Sequence, residues 1–133
     1  MMKFEERIFT RDEANEMLPQ LRPLLTELRR KWLRMQELNP EIEKLRERAS
    51  MDAYSPHGVE YVELVSGLTS LMEEIRDMGV LVKDIQKGLC DFPYLMNERI
   101  VYLCWHMDED SIEYWHDIQG GFSGREPLPR KDS

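Results

Sequence analysis

The sequence has few cysteines and no long apolar run, and both absences narrow the class of protein. Two cysteines among 133 residues cannot form the disulfide framework of a small secreted domain. No apolar run approaches the roughly 18 residues that a helix needs to cross a bilayer. The first ten residues, MMKFEERIFT, also lack the apolar segment of a signal peptide. We therefore expect a cytoplasmic protein with reduced thiols and no membrane partner.

Positive charge is also in short supply. The chain has 18 lysines and arginines against 26 acidic residues, which gives a net charge of −8. Nucleic-acid-binding domains usually present an excess of positive charge, so we expect no nucleic-acid partner. An apolar fraction of 41% with 33% charged residues is typical of a folded chain. The length predicts a single domain over residues 1–133.

The first part of the chain has the apolar spacing of long amphipathic helices. Residues 10–13 (TRDE) form a capping box, which predicts that a helix begins at Arg11. Apolar residues recur at helical spacing from there to about Arg48. Pro19 and Pro23 interrupt this segment, and they predict a kink or a separate short segment near residues 18–22.

A second apolar stripe predicts a helix over residues 59–78 that ends at Gly79. Two long amphipathic helices joined by a short loop predict an antiparallel helical hairpin over residues 11–78.

After Gly79 the apolar spacing changes from a helical period to a period of two, which indicates strands. The pattern predicts a four-stranded antiparallel meander over residues 79–118, followed by a Gly/Pro-rich tail with a disordered end over 119–133. The fold class is therefore α+β, with a helical hairpin packed on a small sheet. The four predicted strands are residues 80–85, 89–94 (ending near Pro93), 99–107 and 111–117.

Three blocks of the sequence carry a family pattern. The first is FTxxEANxxLPxL from Phe9, and the second is GxxxKDxxxGLxDFP from Gly79. The third combines VYLCW from Val101, YWH from Tyr114 and GFxGRxPL from Gly121. Together they resemble a small bacterial family catalogued only as domain-of-unknown-function family 2203. The resemblance covers most of the chain except the loop between the helices, and it implies no established activity. After Leu-Cys-Trp that family typically has a basic residue, where this chain has a histidine.

A cysteine and two histidines near the end of the meander form a candidate metal site. Cys104 and His106 share one face of a strand because side chains alternate. If Tyr102 lies opposite His116, then His116 joins that face. One thiolate and two imidazoles suit zinc, with a fourth position for Cys90, a carboxylate or water. The alternative interpretation is a simply buried thiol beside a histidine with its hydrogen bonds satisfied.

The glycine-rich turn over residues 120–125 is a candidate site for a small anion. Arg125 can bind a carboxylate or phosphate through two parallel hydrogen bonds, and Lys83 could add charge. The alternative is a structural salt bridge from Arg125 to Asp84 or Asp117.

Helix one carries a basic cluster that could dock an acidic partner. The other interpretation is an ordinary solvated helix face. The cluster consists of Arg22, Arg29, Arg30, Lys31 and Arg34.

The sequence contains no recognisable catalytic set, so it assigns no catalytic residue and leaves open whether the protein is an enzyme. The first hypothesis is a non-enzymatic structural or protein-interaction module, a homodimer that buries the apolar stripe of helix one. The second is a metal-binding protein or metal-dependent enzyme, with Glu109 or Asp91 as an acid–base partner. The third is a small anionic-ligand binder. The interface residues predicted by the first hypothesis are Leu21, Leu24, Leu28 and Met35.

Overall fold

The computed structural model describes residues 7–47 and 55–130. In this part of the chain, two long helices precede a five-stranded antiparallel sheet, which confirms the α+β class and corrects the predicted strand number from four to five. The predicted helix end at Arg48 and the last three residues of the predicted tail lie outside the described residues. The elements are α1 (Arg11–Glu47), α2 (Pro56–Asp77), β1 (Leu81–Asp84), β2 (Leu89–Met96), β3 (Arg99–His106), β4 (Tyr114–His116) and β5 (Glu126–Pro127), and the strands follow chain order across the sheet.

The first helix begins where the capping box predicts. The Thr10 amide donates to Glu13 Oε1 at 2.8 Å, and the Glu13 amide donates to Thr10 Oγ1 at 3.0 Å. These reciprocal hydrogen bonds satisfy amides that a helix start would otherwise leave unpaired.

The helix then runs unbroken through Pro19 and Pro23, so the predicted separate first segment does not form. A proline inside a helix costs about 3 kcal/mol because it removes a hydrogen bond and crowds the preceding turn. Here Leu18, Leu21 and Leu25 flank the prolines and are all buried in the core. Burial of three leucines outweighs the cost of the prolines.

The two helices form an antiparallel hairpin. The far end of α1 meets the start of α2, where Leu38 and Ile42 cluster with Leu64. The first part of α1 meets the end of α2, where Leu28 shares the main core with Ile75.

The four predicted interface residues pack inside this one chain. Leu21 and Leu28 are completely buried in the main core, and Leu24 packs against them. Met35 packs against the second cluster at the far end of the hairpin. Leu21 and Leu28 are therefore enclosed by their own chain, whereas Leu24 and Met35 remain partly exposed.

One face of the sheet packs on the helices. Cys90 lies opposite Trp105 and Phe92 lies opposite Leu103, and all four side chains join the leucines of α1 in the main core. Because side chains alternate along a strand, the residues between them point to the opposite face. That second face carries Asp91 and the other polar residues considered below.

Two strand ends differ from the prediction because backbone groups bind elsewhere. β2 continues through Pro93 to Met96, since the Pro93 carbonyl accepts from the Phe9 amide at 2.9 Å and so points away from β3. A proline there removes no hydrogen bond to β3. β4 begins only at Tyr114, because the Ile112 amide donates to Asn15 Oδ1 at 2.8 Å instead of to a strand.

The fifth strand lies in the segment predicted as a tail. Residues 117–125 leave β4, cross the second face of the sheet and return, so that β5 pairs with β4. The Leu128 amide donates to the Glu113 carbonyl at 2.8 Å, and the Leu128 side chain is buried. The sequence pattern missed this strand because it contains only two residues.

Replacing Leu28, which is 0% exposed, by alanine should lower the free energy of unfolding by about 2–5 kcal/mol through lost burial and a cavity. Leu33 is a matched control, because it lies on the same helix and is 43% exposed. Urea unfolding should show a change of about 0.5 kcal/mol or less for Leu33→Ala. Equal effects of the two substitutions would contradict the described packing.

Candidate functional site

A buried carboxyl and a buried imidazole meet on the second face of the sheet. Asp91 Oδ1 lies 3.0 Å from His116 Nε2, and the two residues are only 2% and 3% exposed. Asp91 is on β2 and His116 is on β4, with β3 between them. On β3, Cys104 lies opposite Asp91 and Tyr102 lies opposite His116. Because residues 102 and 104 are neighbours on one face of β3, this pairing brings Asp91 and His116 together. The register on which the expected metal site depended, with Tyr102 opposite His116, is the one present.

Cys104 completes a group of three different donor atoms. A carboxylate oxygen of Asp91, Sγ of Cys104 and a ring nitrogen of His116 all lie within 4.8 Å of one another. All three residues are buried. Carboxylate, thiolate and imidazole are each ordinary zinc ligands.

The ring of His116 is oriented by the backbone. Its Nδ1 lies 2.6 Å from the carbonyl oxygen of Asp117. A carbonyl can only accept, so Nδ1 carries a hydrogen and donates it. Nε2 is then left to face Asp91 Oδ1 at hydrogen-bonding distance. Histidines that bind metals usually have one ring nitrogen held by such a carbonyl while the other meets the ion.

Burial disfavours the charged forms of Asp91 and Cys104. Burial raises the pKa of the Asp91 carboxyl above its ordinary value, although the hydrogen bond with His116 opposes this effect. Burial likewise raises the pKa of the Cys104 thiol to about 11, against the opposing charge of Arg125. At neutral pH Cys104 is therefore a thiol, and a cation would have to displace its proton to bind the sulfur.

A small pocket lies over the Asp91–His116 pair. Its volume is about 240 Å³, and the segment after β4 forms its outer wall. Lys83 and Tyr102 reach this pocket from β1 and β3. The remaining lining residues are Leu89, Ile118, Gln119, Gly121 and Phe122.

Arg125 holds the segment after β4 onto the sheet. Its guanidinium donates to both carboxylate oxygens of Glu109, at 3.0 and 2.9 Å, and to the Cys104 carbonyl at 3.0 Å. It lies between two aromatic rings, 4.1 Å from the centre of Tyr114 and 4.6 Å from the centre of Phe122. The partner is therefore Glu109, which corrects the alternative of Asp84 or Asp117.

The pKa values of this ion pair move apart. Burial is the largest single effect on the pKa of Glu109 and would raise it, but the hydrogen bonds from Arg125 and from the His106 amide, together with the charge of Arg125, lower the pKa overall. Burial is also the largest single effect on the pKa of Arg125 and would lower it, but the hydrogen bond to Glu109 and the surrounding electrostatic interactions together raise the pKa. Both shifts stabilise the charged forms.

The structure separates some residues that the sequence grouped. His106 Nε2 lies 3.7 Å from Glu109 Oε2, and its ring packs 6.1 Å from Phe122, outside the three-residue group. Lys83 lines the pocket over Asp91, whereas Arg125 is engaged by Glu109. Asp91 belongs to the three-residue group, whereas the sequence pointed to it only as a possible acid–base partner. An acidic residue inside the apolar segment LCDF was the pattern that could have identified it.

The chain belongs to the family of uncharacterized conserved proteins DUF2203, whose pattern matches residues 7–128. No curated protein and no solved structure gives a significant match to it. Within the described residues, 7–47 and 55–130, neither helix is long and apolar enough to cross a membrane.

Replacing Glu109 by glutamine should lower the free energy of unfolding by about 1–3 kcal/mol at pH 7, because Arg125 loses its charged partner. The folded-state pKa of Glu109 lies below its ordinary value of 4.5, so its stabilisation is complete above pH 4.5 and is lost as pH falls through the folded-state pKa. Urea unfolding should therefore show the difference between wild type and Glu109→Gln shrinking in acid. The exposed Glu74 gives a control, since Glu74→Gln should leave the free energy of unfolding nearly unchanged at every pH. A difference that grows on acidification would contradict this account.

Proposed function

We propose that this protein binds a divalent transition-metal ion, zinc being the best fit, through Asp91, Cys104 and His116. The observation that carries the proposal is the convergence of three different donor atoms within 4.8 Å of one another at a buried position. His116 is already held by the Asp117 carbonyl with Nε2 directed at the group. Compared with the set expected from sequence, Asp91 takes the place of His106.

The donor chemistry selects among metals. Calcium and magnesium take oxygen ligands and have little affinity for a thiolate. Zinc accepts sulfur, nitrogen and oxygen donors together in a four-coordinate site. The set of Cys104, His116 and Asp91 therefore favours zinc or another borderline divalent ion.

Three protein ligands leave one tetrahedral position for water or a small ligand. The pocket of about 240 Å³ over Asp91 and His116 lies where that position would open. Lys83 and Tyr102 line this pocket, so an anion or a polar group bound there would meet them. Closed structural zinc sites use four protein ligands, whereas reactive sites keep one position open. The arrangement therefore supports a reactive or sensing metal over a purely structural one.

The metal content of untagged protein, purified without chelator, tests this proposal. We expect about one zinc per chain by elemental analysis after equilibration with zinc. Cys104→Ser and His116→Ala should each lose most of the metal. Cys90→Ser and His106→Ala are matched controls, because Cys90 faces the helical core and His106 lies beside Glu109.

Circular dichroism would verify that the Cys104 and His116 variants remain folded. Wild-type protein that takes up no zinc would overturn the proposal. So would folded Cys104→Ser that retains stoichiometric zinc, whereas loss of metal in His106→Ala as well as in the Cys104 and His116 variants would restore the set expected from sequence.

A second candidate function is a non-enzymatic interaction module of the bacterial cytoplasm, acting as a homodimer. It is favoured by three exposed valines on α2, at positions 59, 62 and 65, because contiguous exposed apolar side chains mark association surfaces. Val62 is the most exposed, at 66%. A dimeric mass in solution that becomes monomeric in Val62→Glu would support this candidate, and a monomeric wild type would exclude the homodimer.

A further inference from the structure

The basic cluster of α1 is mostly engaged by partners within the chain. Four of its five cations have a hydrogen bond or ion pair in the described structure, and Arg29 is the exception. Cations that are already paired within the chain have little remaining attraction for an acidic partner, so we do not propose the cluster as a whole as a docking surface. The engaged residues are Arg30 and Lys31 with Glu27, Arg34 with Glu60, and Arg22 with the carbonyls of Met107, Glu109 and Asp110.

Arg29 has a buried donor without a partner. Its Nε is shielded from solvent and makes no hydrogen bond to any residue of the described chain. Arg125 Nε is in the same situation, but the other nitrogens of Arg125 are bound by Glu109 and Cys104. No such bonds hold Arg29. An unpaired buried donor on a charged group is unfavourable by about 1–3 kcal/mol or more, so a native structure usually provides a hydrogen-bond partner for it, whether a protein group, a water, an ion or a ligand.

Arg29 lines a groove that is separate from the pocket over Asp91. The groove has a volume of about 450 Å³ and lies between α1, the turn before β2 and the turn after β3. Arg29 and Lys87 bring positive charge, His106 adds an imidazole, and Asp108 is the one acidic residue among the lining residues of the described chain. The groove is therefore lined by more positive than negative side chains, although the whole chain has a net charge of −8.

The same groove has an exposed apolar part. Leu33 from α1 and Phe122 from the segment after β4 both line it, and they are 43% and 42% exposed. The Phe122 ring is flanked by Lys87, whose Nζ lies 5.8 Å from the ring centre, and by the ring of His106 at 6.1 Å. A flat apolar group could therefore stack on Phe122 while an attached anion meets the cations.

We infer that this groove binds a small molecule in which a carboxylate or phosphate is attached to a flat apolar group, with Arg29 as the anion-binding residue. A guanidinium matches either oxyanion through two parallel hydrogen bonds. The volume is that of ordinary small-molecule pockets, and apolar walls with a few converging polar groups are typical of such sites. The inference does not depend on the proposed metal centre.

Calorimetric titration of the full chain with phenyl phosphate and with benzoate tests the inference. At least one of the two should bind, and Arg29→Gln should weaken that binding by about tenfold or more. Arg30→Gln is the matched control, because it removes the same charge from the neighbouring residue, whose guanidinium pairs with Glu27. Its affinity should stay within about twofold of wild type.

Three further titrations separate the sources of binding. Inorganic phosphate should bind more weakly than phenyl phosphate, and benzyl alcohol should not bind, because the site needs both the anion and the apolar group. Protein stripped of metal with EDTA should bind like untreated protein, since the groove includes none of the proposed metal ligands. The inference is overturned if neither probe binds, if Arg29→Gln and Arg30→Gln weaken binding equally, or if EDTA treatment abolishes binding. Binding that is lost on EDTA treatment and unaffected by Arg29→Gln would place the anion on the proposed metal.

Discussion

The rest of the structure depends on the burial of β3 on both of its faces. Leu103 and Trp105 face the helices, while Cys104 faces the other way, and all three are completely buried. A small antiparallel sheet on a helical hairpin normally leaves its second face to water. Here the segment after β4 crosses that face, so the centre of the sheet is enclosed from both sides.

This enclosure changes the chemistry of the residues on the second face. Asp91 and Cys104 would be ordinary surface groups if the face were open, but burial raises the pKa of both. Charged groups are rarely buried without partners, because each loses its hydration. The contact with His116 gives Asp91 a hydrogen-bond partner, and a bound metal would satisfy all three side chains.

The covering segment is held by Arg125, and Phe122 lies at its centre. Arg125 joins this segment to Glu109 on the turn after β3 and to the backbone of β3 itself. Phe122 borders both the pocket over Asp91 and the groove at Arg29. A ligand that moves the Phe122 ring in one of these cavities would therefore change the wall of the other, which offers a physical route of coupling between them.

Much of this protein follows from local sequence. The capping box at Thr10 and Glu13, the apolar stripes of both helices and the stop at Gly79 all depend on short-range rules, namely helix capping and helical spacing. What local patterns could not provide was the path of the segment after β4, because β5 is two residues long and is held by contacts to distant residues.

The sequence by itself determined the class of fold and placed Cys104 and His106 on one face of a strand, because periodicity and alternation are local properties of the chain. Only the tertiary structure decided that Asp91 and His116 meet Cys104 and that His106 turns to Glu109. It also decided that Arg29 alone of its cluster lacks a partner among the described residues. These outcomes depend on which groups from distant segments meet and on which are buried, and no local spacing encodes either.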